Sequence, residues 1–360
     1  MKTKIVWGFF AVFFANITVA EDKSKIGPFI EVNSFSHSEP LAVYGLFNDW
    51  QGSLTSGRKA FSVNRFEAGF RLNSWQLSVL NRQDFYYEFA PTTAKLFYDT
   101  NNKKILEPGE TYNLELSANS FFARGLKLAY KTQLSDFKVR LAASYLEGYD
   151  VMQGDLSGSA QAVAENDYNF DFVVDYYYAE DALFSRKIND SVKGQGHAFD
   201  FDIDWKINHQ WSAGIKIEDL FAKIYWFDAP RTIANGTSQV KEYDEDGFVV
   251  FRPVASGLET NQSFTQKIPT KVFLSTEYSF NEAHSIVVKV DDYEIKRFAS
   301  LGYAFKLESK SELKVLANLT AEAMELSYQN PWLKASLISD SWDYKKSKTL
   351  GLGIGVRYFF

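Results

Sequence analysis

The chain has 360 residues, no cysteine, 46% hydrophobic and 17% aromatic residues, and a formal net charge of −6. Without cysteine there is no disulfide framework, no N-terminal lipid-anchored cysteine, no thiolate metal site and no cysteine nucleophile. Mild acidity leaves no electrostatic footprint for nucleic acid, which is not expected among the partners.

The N-terminus reads as a secretory signal. Lys2 and Lys4 form a positive head, residues 5–17 are apolar apart from Gly8 and Asn16, and Thr18-Val19-Ala20 supplies small residues for cleavage near Ala20. The apolar run is short for a membrane-spanning helix and Glu21-Asp22 follow it at once. Removing residues 1–20, with two lysines, takes the net charge from −6 to −8. Residues 21–40 form a periplasmic segment or a first strand, with 27–35 as the strand-like stretch. Residues 41–360 read as one domain, and no other run approaches 18 uninterrupted apolar residues.

That domain is built from alternating strands. Phe66, Ala68, Phe70 and Leu72 oppose Arg65, Glu67 and Arg71. Phe137, Val139, Leu141, Ala143 and Tyr145 oppose Lys138 and Arg140. Tyr168, Phe170, Phe172, Val174, Tyr176 and Tyr178 alternate with Asn169, Asp171 and Asp175. Phe199, Phe201, Ile203, Trp205 and Ile207 alternate with Asp200, Asp202, Asp204 and Lys206, and residues 299–307 repeat the pattern. Side chains alternate across a strand, so each segment has one apolar face. Segments of about ten such residues separated by turn residues are the signature of transmembrane barrels, and only closed barrels and helices satisfy their backbone within lipid.

Turns and loops sort by length. Short turns fall at 73–74, 134–135, 208–209, 281–282 and 330–331, where Asn, Ser and Pro suit tight geometry. Long connections cover 91–110, 179–195 and 228–262. Short periplasmic turns and long extracellular loops are the barrel arrangement. Strands are expected from near 41, 65, 75, 111, 136, 155, 168, 196, 211, 269, 284, 298, 312, 322, 332 and 349, about sixteen within a range of fourteen to eighteen. Both termini are then periplasmic, and a bulge is expected near Gly125. Trp75, Trp211, Trp332, Tyr278 and Tyr328, beside short turns, suit an aromatic girdle.

The last strand is the most specific segment. Leu350, Leu352, Ile354, Val356, Tyr358 and Phe360 take every second position to the final residue, with Gly351, Gly353, Gly355, Arg357 and Phe359 between them. In Leu352, Ile354, Val356, Tyr358 and Phe360 this resembles the C-terminal targeting strand of bacterial outer-membrane proteins. The resemblance is to Gram-negative outer-membrane β-barrel, porin-like proteins. It implies an all-β fold, a single transmembrane antiparallel up-and-down barrel located in the outer membrane. It also implies outer-membrane lipids as surroundings and the barrel-assembly machinery as a partner of the last strand. Porins of this length are often trimers, so a homo-oligomer is an open expectation.

A barrel of this size is wide enough for an aqueous lumen, which favours a porin-like channel or transporter for small solutes. Inward candidates are Asp171, Asp175, Asp200, Asp202 and Asp204, with Lys127, Lys131, Lys138 and Arg140 on preceding strands. Opposed acidic and basic walls either sort solutes by charge or pair with one another in a filled interior. The alternatives are a non-channel anchor or assembly barrel and, less favoured, an outer-membrane hydrolase. His197 with Asp200, or His284 with Ser285 and Asp291, would have to supply its base and acid. No His-Glu-x-x-His, Gly-x-Ser-x-Gly or phosphate-cradling loop is present, so no enzyme, cofactor or metal is expected. Asp200-x-Asp202-x-Asp204 opens like a calcium loop but has Trp205 where glycine is needed. The acidic turn 243–247 reads as a solvated loop. A fatty-acid transporter plug would need more chain than the residues ahead of 41.

Overall fold

The computed structural model describes residues 26–164, 167–181, 191–238, 242–247, 249–250, 256–307 and 310–358. The expected signal peptide, the acidic residues behind it and Phe360 lie outside the described residues.

Among the described residues, eighteen strands and two helices follow one another. They are β1 (Ile26–Ser38), α1 (Val43–Leu46), β2 (Lys59–Leu72), β3 (Trp75–Phe89), α2 (Pro91–Asn101), β4 (Thr111–Leu134) and β5 (Phe137–Ala164). Next come β6 (Asp167–Tyr178), β7 (Lys193–Lys206), β8 (Trp211–Thr237), β9 (Glu242–Tyr243), β10 (Val249–Val250), β11 (Ser256–Lys267) and β12 (Lys271–Ser279). The chain ends with β13 (His284–Asp292), β14 (Arg297–Leu307), β15 (Ser311–Asn318), β16 (Ala323–Gln329), β17 (Leu333–Ser339) and β18 (Thr349–Arg357).

Fourteen strands close a ring: β1, β2, β3, β4, β5, β7, β8, then β12 to β18, with β18 antiparallel to β1 from Phe29↔Arg357 to His37↔Thr349. The chain is a closed antiparallel β-barrel. Closure pairs every strand on both sides, which removes the exposed edge that an amphipathic terminal strand would otherwise present.

The ring has two strands fewer than the sixteen read from the alternation, because the one expected from 155 is part of β5 and the one from 168, β6, stands outside the ring. The segment near 41 is not a strand but the short helix α1, and the first strand is Ile26–Ser38. The strand expected from 155 is the upper half of β5, which runs 28 residues without a turn. The bulge expected near Gly125 sits instead on β5, where Tyr149 is the extra residue opposite Phe122 and Ala123. Four described strands stand outside the ring: β9 pairs with β10 in a separate hairpin, while β6 and β11 extend the barrel sheet. β6 continues the slot of β7 between the upper parts of β5 and β8, and β11 continues the slot of β12 along β8.

The wall is therefore lopsided. β13 to β18 have 7 to 11 residues, whereas β4, β5 and β8 have 24, 28 and 27. In the lower part, nearer the short turns, the outer face is apolar: Leu77, Leu126, Leu128, Leu141, Ile215, Leu301, Leu326 and Ile354 are all exposed. Cross-strand aromatic pairs ring this end, with Trp75–Tyr130 and Trp211–Tyr278 centroids both 4.8 Å apart and Phe137–Trp205 stacked at 5.4 Å. Such pairs contribute about 0.2–1 kcal/mol each.

Higher up the tall wall the polarity inverts. On β4 the outward residues become Thr111, Asn113, Glu115 and Ser117, while Tyr112 and Leu114 turn inward and are buried. Tyr112, Leu114, Leu156, Ala160, Tyr168, Phe170, Phe172, Val174, Tyr176 and Ala234 then pack into one apolar core together with Leu96 of α2. This polar-out, apolar-in arrangement is that of a sheet standing in water.

Candidate functional site

The lumen of the lower barrel holds the candidate site, and its centre is a break in β8. Asp219 and Phe221 have φ of 61° and 55°, and the register with β7 shifts twice, between His197 and Phe199 and between Phe199 and Phe201. Positive φ is uncommon for residues with a side chain and marks a bulge held by its surroundings. Here it lets Glu218 and Asp219 both enter the lumen, while Phe221 is thrown outward at 76% exposure.

Asp219 gathers charge from across the barrel. Arg82 Nη1 on β3 donates to its Oδ1 at 2.7 Å and Lys271 Nζ on β12 donates to Oδ2 at 2.6 Å. Arg82 also binds Asp84 at 2.6 Å. Arg65 of β2 reaches Glu218 at 3.3 Å and Asp219 at 3.4 Å, and Lys216 holds Glu218 at 2.6 Å. Beside this, Lys127 binds Asp200 at 2.6 Å and lies 3.5 Å from Glu67. Asp200 in turn accepts from the Asp219 amide at 3.2 Å. Ion pairs so buried are stable only when each charge is matched, and here they join β3 to β8 and β12 across the width of the lumen.

Above this ionic belt the lumen is filled on the tall side. Trp226 is fully buried and its Nε1 donates to Gln266 at 2.8 Å. Its ring lies over Gly148 and Gly194, where a Cβ would stand 2.4 Å and 2.8 Å from indole carbons. On the short side an aromatic cap closes the opening. Tyr293, in the β13–β14 turn, stacks on Phe35 of β1 at 4.8 Å and packs on Phe61 and Phe298. Lys296 of the same turn binds Glu39 at 2.6 Å, and Lys59 donates to the Ile295 carbonyl at 2.8 Å.

Two cavities remain beneath. One of about 520 Å³ opens between the short turns, with Ser135, Asp136, Asn208 and His209 at its mouth. A second of about 190 Å³ lies directly above, between the belt residues Arg65, Lys216, Glu218 and Lys271 and the cap residues Phe35 and Tyr293. The two are consecutive on the same inward faces. Gly214, Ser275 and Val287 line the first, and Lys216, Phe273 and Lys289 line the second.

The residues singled out from the sequence fall in three groups. Lys127 with Asp200, and Arg140 with Asp202 at 3.0 Å, are paired inside the lumen. Lys138 and Asp204, opposite each other in the β5–β7 ladder, line the larger cavity, and Lys131 lies opposite Arg140. Asp171 and Asp175 lie elsewhere than expected. On β6 the aromatic residues are the buried set, so these acids point away from the interior, where Asp175 binds Arg231 at 2.6 Å. The inward rule read from the lower strands does not extend to a strand above the inversion.

The histidines assemble no base–acid pair of the kind considered. His197 and Asp200, three apart on β7, face opposite sides of the wall, and His284 and Asp291 sit at opposite ends of β13. The resemblance of Asp200, Asp202 and Asp204 to a calcium loop also dissolves, since all three lie in a straight strand and two are held by cations. The belt residues Arg82, Asp84, Asp219 and Lys271 escaped the sequence reading. Arg82-x-Asp84 does carry the period-two signal, but Asp219 sits out of phase because of the β8 bulge.

No family model matches this sequence, and no curated protein is similar to it. Among solved structures, the chain is similar to a TodX deltaS2S3 mutant described as a monoaromatic hydrocarbon channel, with 10% identity, a TM-score of 0.45, and 95% of this chain and 91% of that one covered. It is also similar to the P. putida toluene transporter TodX, with 10% identity, a TM-score of 0.41 and coverage of 94% and 89%. A Pseudomonas aeruginosa FadL homologue is a further match at 8% identity, a TM-score of 0.25 and coverage of 92% and 88%. Likenesses this distant carry no argument about what this chain does.

Proposed function

We propose that this chain is an outer-membrane β-barrel that takes small solutes into its lumen and passes them through a regulated opening. The observation that carries this reading is the contrast between its two lower faces. Outside runs a continuous apolar band with an aromatic ring at the short-turn end; inside are paired charges and two stacked cavities. An apolar band of this extent in water marks a contact surface, and a hydrogen-bonded ring is one of two structures able to cross lipid. The upper tall wall, polar outside and apolar inside, would stand beyond the membrane on the extracellular side.

Passage in this reading requires the Arg82–Asp219–Lys271 belt and the Tyr293 cap to part, so the resting barrel conducts weakly. The test is planar-bilayer conductance of the refolded protein, with and without the pair Glu39→Gln and Lys296→Gln, which frees the cap. Rare small openings that become frequent in the double variant support a gated pathway. A barrel that stays silent in both forms removes passage and favours the anchor or assembly reading.

A further inference from the structure

The smaller cavity has two unlike ends. At one, Arg65 and Lys216 share a single acid, Glu218, at 3.3 and 2.6 Å. Arg65 also reaches Asp219 at 3.4 Å, but that carboxylate is already divided between Arg82 and Lys271. At the other end the balance reverses: Asp291 and Glu325 share a single cation, Lys289, at 2.8 and 3.2 Å. Asp291 turns Oδ2 to that lysine, and its Oδ1 is buried with no hydrogen-bond partner among the described residues. A buried carboxylate oxygen left unpaired is costly, and a donor brought to it would restore what it lacks. All six of these charged residues, Asp219 and its other partners aside, line the same 190 Å³ space.

The ladder fixes the spacing of the two ends. Phe273 of β12 stands opposite Lys216 of β8 on one side and Asp291 of β13 on the other. Lys216 and Asp291 are therefore two strand spacings apart, about 10 Å at the backbone, with Phe273 between them. Lys216 Nζ lies 5.2 Å from the centre of the Phe273 ring. Tyr293 packs edge-on to that ring with centroids 5.6 Å apart, so aromatic carbon lines the space between the charged ends. A cavity of about 150 Å³ holds one six-membered ring, so this one has room for a solute of similar size.

We propose that this cavity binds a small zwitterion, a short carbon chain carrying an ammonium and a carboxylate. The carboxylate takes the end where two cations share Glu218, and the ammonium takes the end where two acids share Lys289. The chain between them lies along Phe273. A planar guanidinium and a lysine suit a carboxylate, and an ammonium gains from carboxylate oxygens and from aromatic faces alike. A solute with one charge satisfies one end and leaves the other as it stands. The inference rests on the reading of a solute-taking lumen and names the class of solute.

The experiment is calorimetric titration of the full refolded chain in non-ionic micelles at neutral pH, with ionic strength fixed by sodium chloride. The probes are γ-aminobutyrate and two analogues that each carry one of its charges, sodium butyrate and butylammonium chloride. Saturable binding of γ-aminobutyrate is expected, with each single-charge probe weaker by about tenfold or more. Lys216→Gln weakens γ-aminobutyrate and butyrate about tenfold and spares butylammonium, as loss of one charged hydrogen bond would. Glu325→Gln weakens γ-aminobutyrate and butylammonium and spares butyrate. Each variant leaves the former partner with an opposite charge, Arg65 on Glu218 and Asp291 on Lys289. Misfolding could not imitate losses that cross in this way. No heat beyond dilution for γ-aminobutyrate, single-charge probes that bind as tightly, or losses that do not cross overturn the proposal. Binding in a barrel that never conducts keeps this site and removes passage; conduction without binding keeps passage and removes the site.

Discussion

Arg82 of β3 and Asp219 of β8 meet across the lumen through two hydrogen bonds of 2.7 and 3.0 Å, although β4, β5 and β7 separate their strands around the wall. Both are almost wholly buried, as is Lys271, which shares the carboxylate. The contact exists only because the β8 bulge turns Asp219 inward out of phase with its neighbours. Backbone strain and ion pairing are thus one feature.

Asp219→Ala is expected to be among the most damaging single substitutions. It leaves Arg82 and Lys271 buried with less than their matching charge, a loss of about 3–5 kcal/mol for a buried pair broken from one side. Urea unfolding of the barrel in micelles measures it. A midpoint unchanged from the parent would mean that the belt contributes nothing to stability.

Gly148 tests the apolar filling above the belt. A Cβ here would stand 2.4 Å from the Trp226 ring, which is pinned by Gln266. Gly148→Val should therefore cost about 1–3 kcal/mol through overpacking. Adding Trp226→Leu should recover part of that loss, because the clash partner shrinks. Thermal melts of the two variants decide: equal penalties with and without Trp226 would refute the contact.

The cap has a built-in pH dependence through Glu39. Partial burial would raise its carboxyl, but the Lys296 hydrogen bond and the Arg58 amide outweigh this and hold it below the ordinary 4.5. A carboxyl lowered in the folded state stabilises that state at neutral pH, and the contribution is lost as pH falls below that ordinary value through the folded one. Hydrogen exchange across residues 293–296 should accelerate in that acid window. Glu39→Gln should exchange fast at every pH; a parent-like acid transition in that variant would assign the effect to another group.

The sequence made the lower barrel legible because there the alternation has one meaning. Leu352, Ile354 and Val356 face out and their glycine neighbours face in, as the spacing demands. The same period misleads where its meaning changes. Phe170 and Phe172 alternate with Asp171 as regularly as Phe199 and Phe201 do with Asp200, yet in β6 the phenylalanines are the inward set. Period two fixes which residues share a face but not which face meets lipid, and that depends on height along the wall. The double shift at Asp219 is lost for a related reason: it inserts residues without a glycine or proline to announce it, and the bulge at Tyr149 follows Gly148, a glycine that the alternation does not distinguish from an ordinary strand position. Lys127 and Asp200 were legible as lumenal charges; their partnership was not, since it depends on which strands become neighbours.

That inversion of polarity supplies the sharpest contrast for the membrane reading. Leu301, on the outer face of β14, is 48% exposed in the apolar band, while Asp171 is exposed on the outer face of β6 above it. If the band lies in lipid, Leu301→Arg places a charge within hydrocarbon and costs about 2–4 kcal/mol at the bilayer midplane. Asp171→Arg exchanges one solvated charge for another and should change stability by less than about 0.5 kcal/mol. Folding into liposomes across a denaturant series compares the two directly. Equal, negligible costs would mean that the band is not in lipid. Equal, large costs would mean that the tall wall lies in the membrane too, and that the water-facing assignment of the upper sheet is wrong.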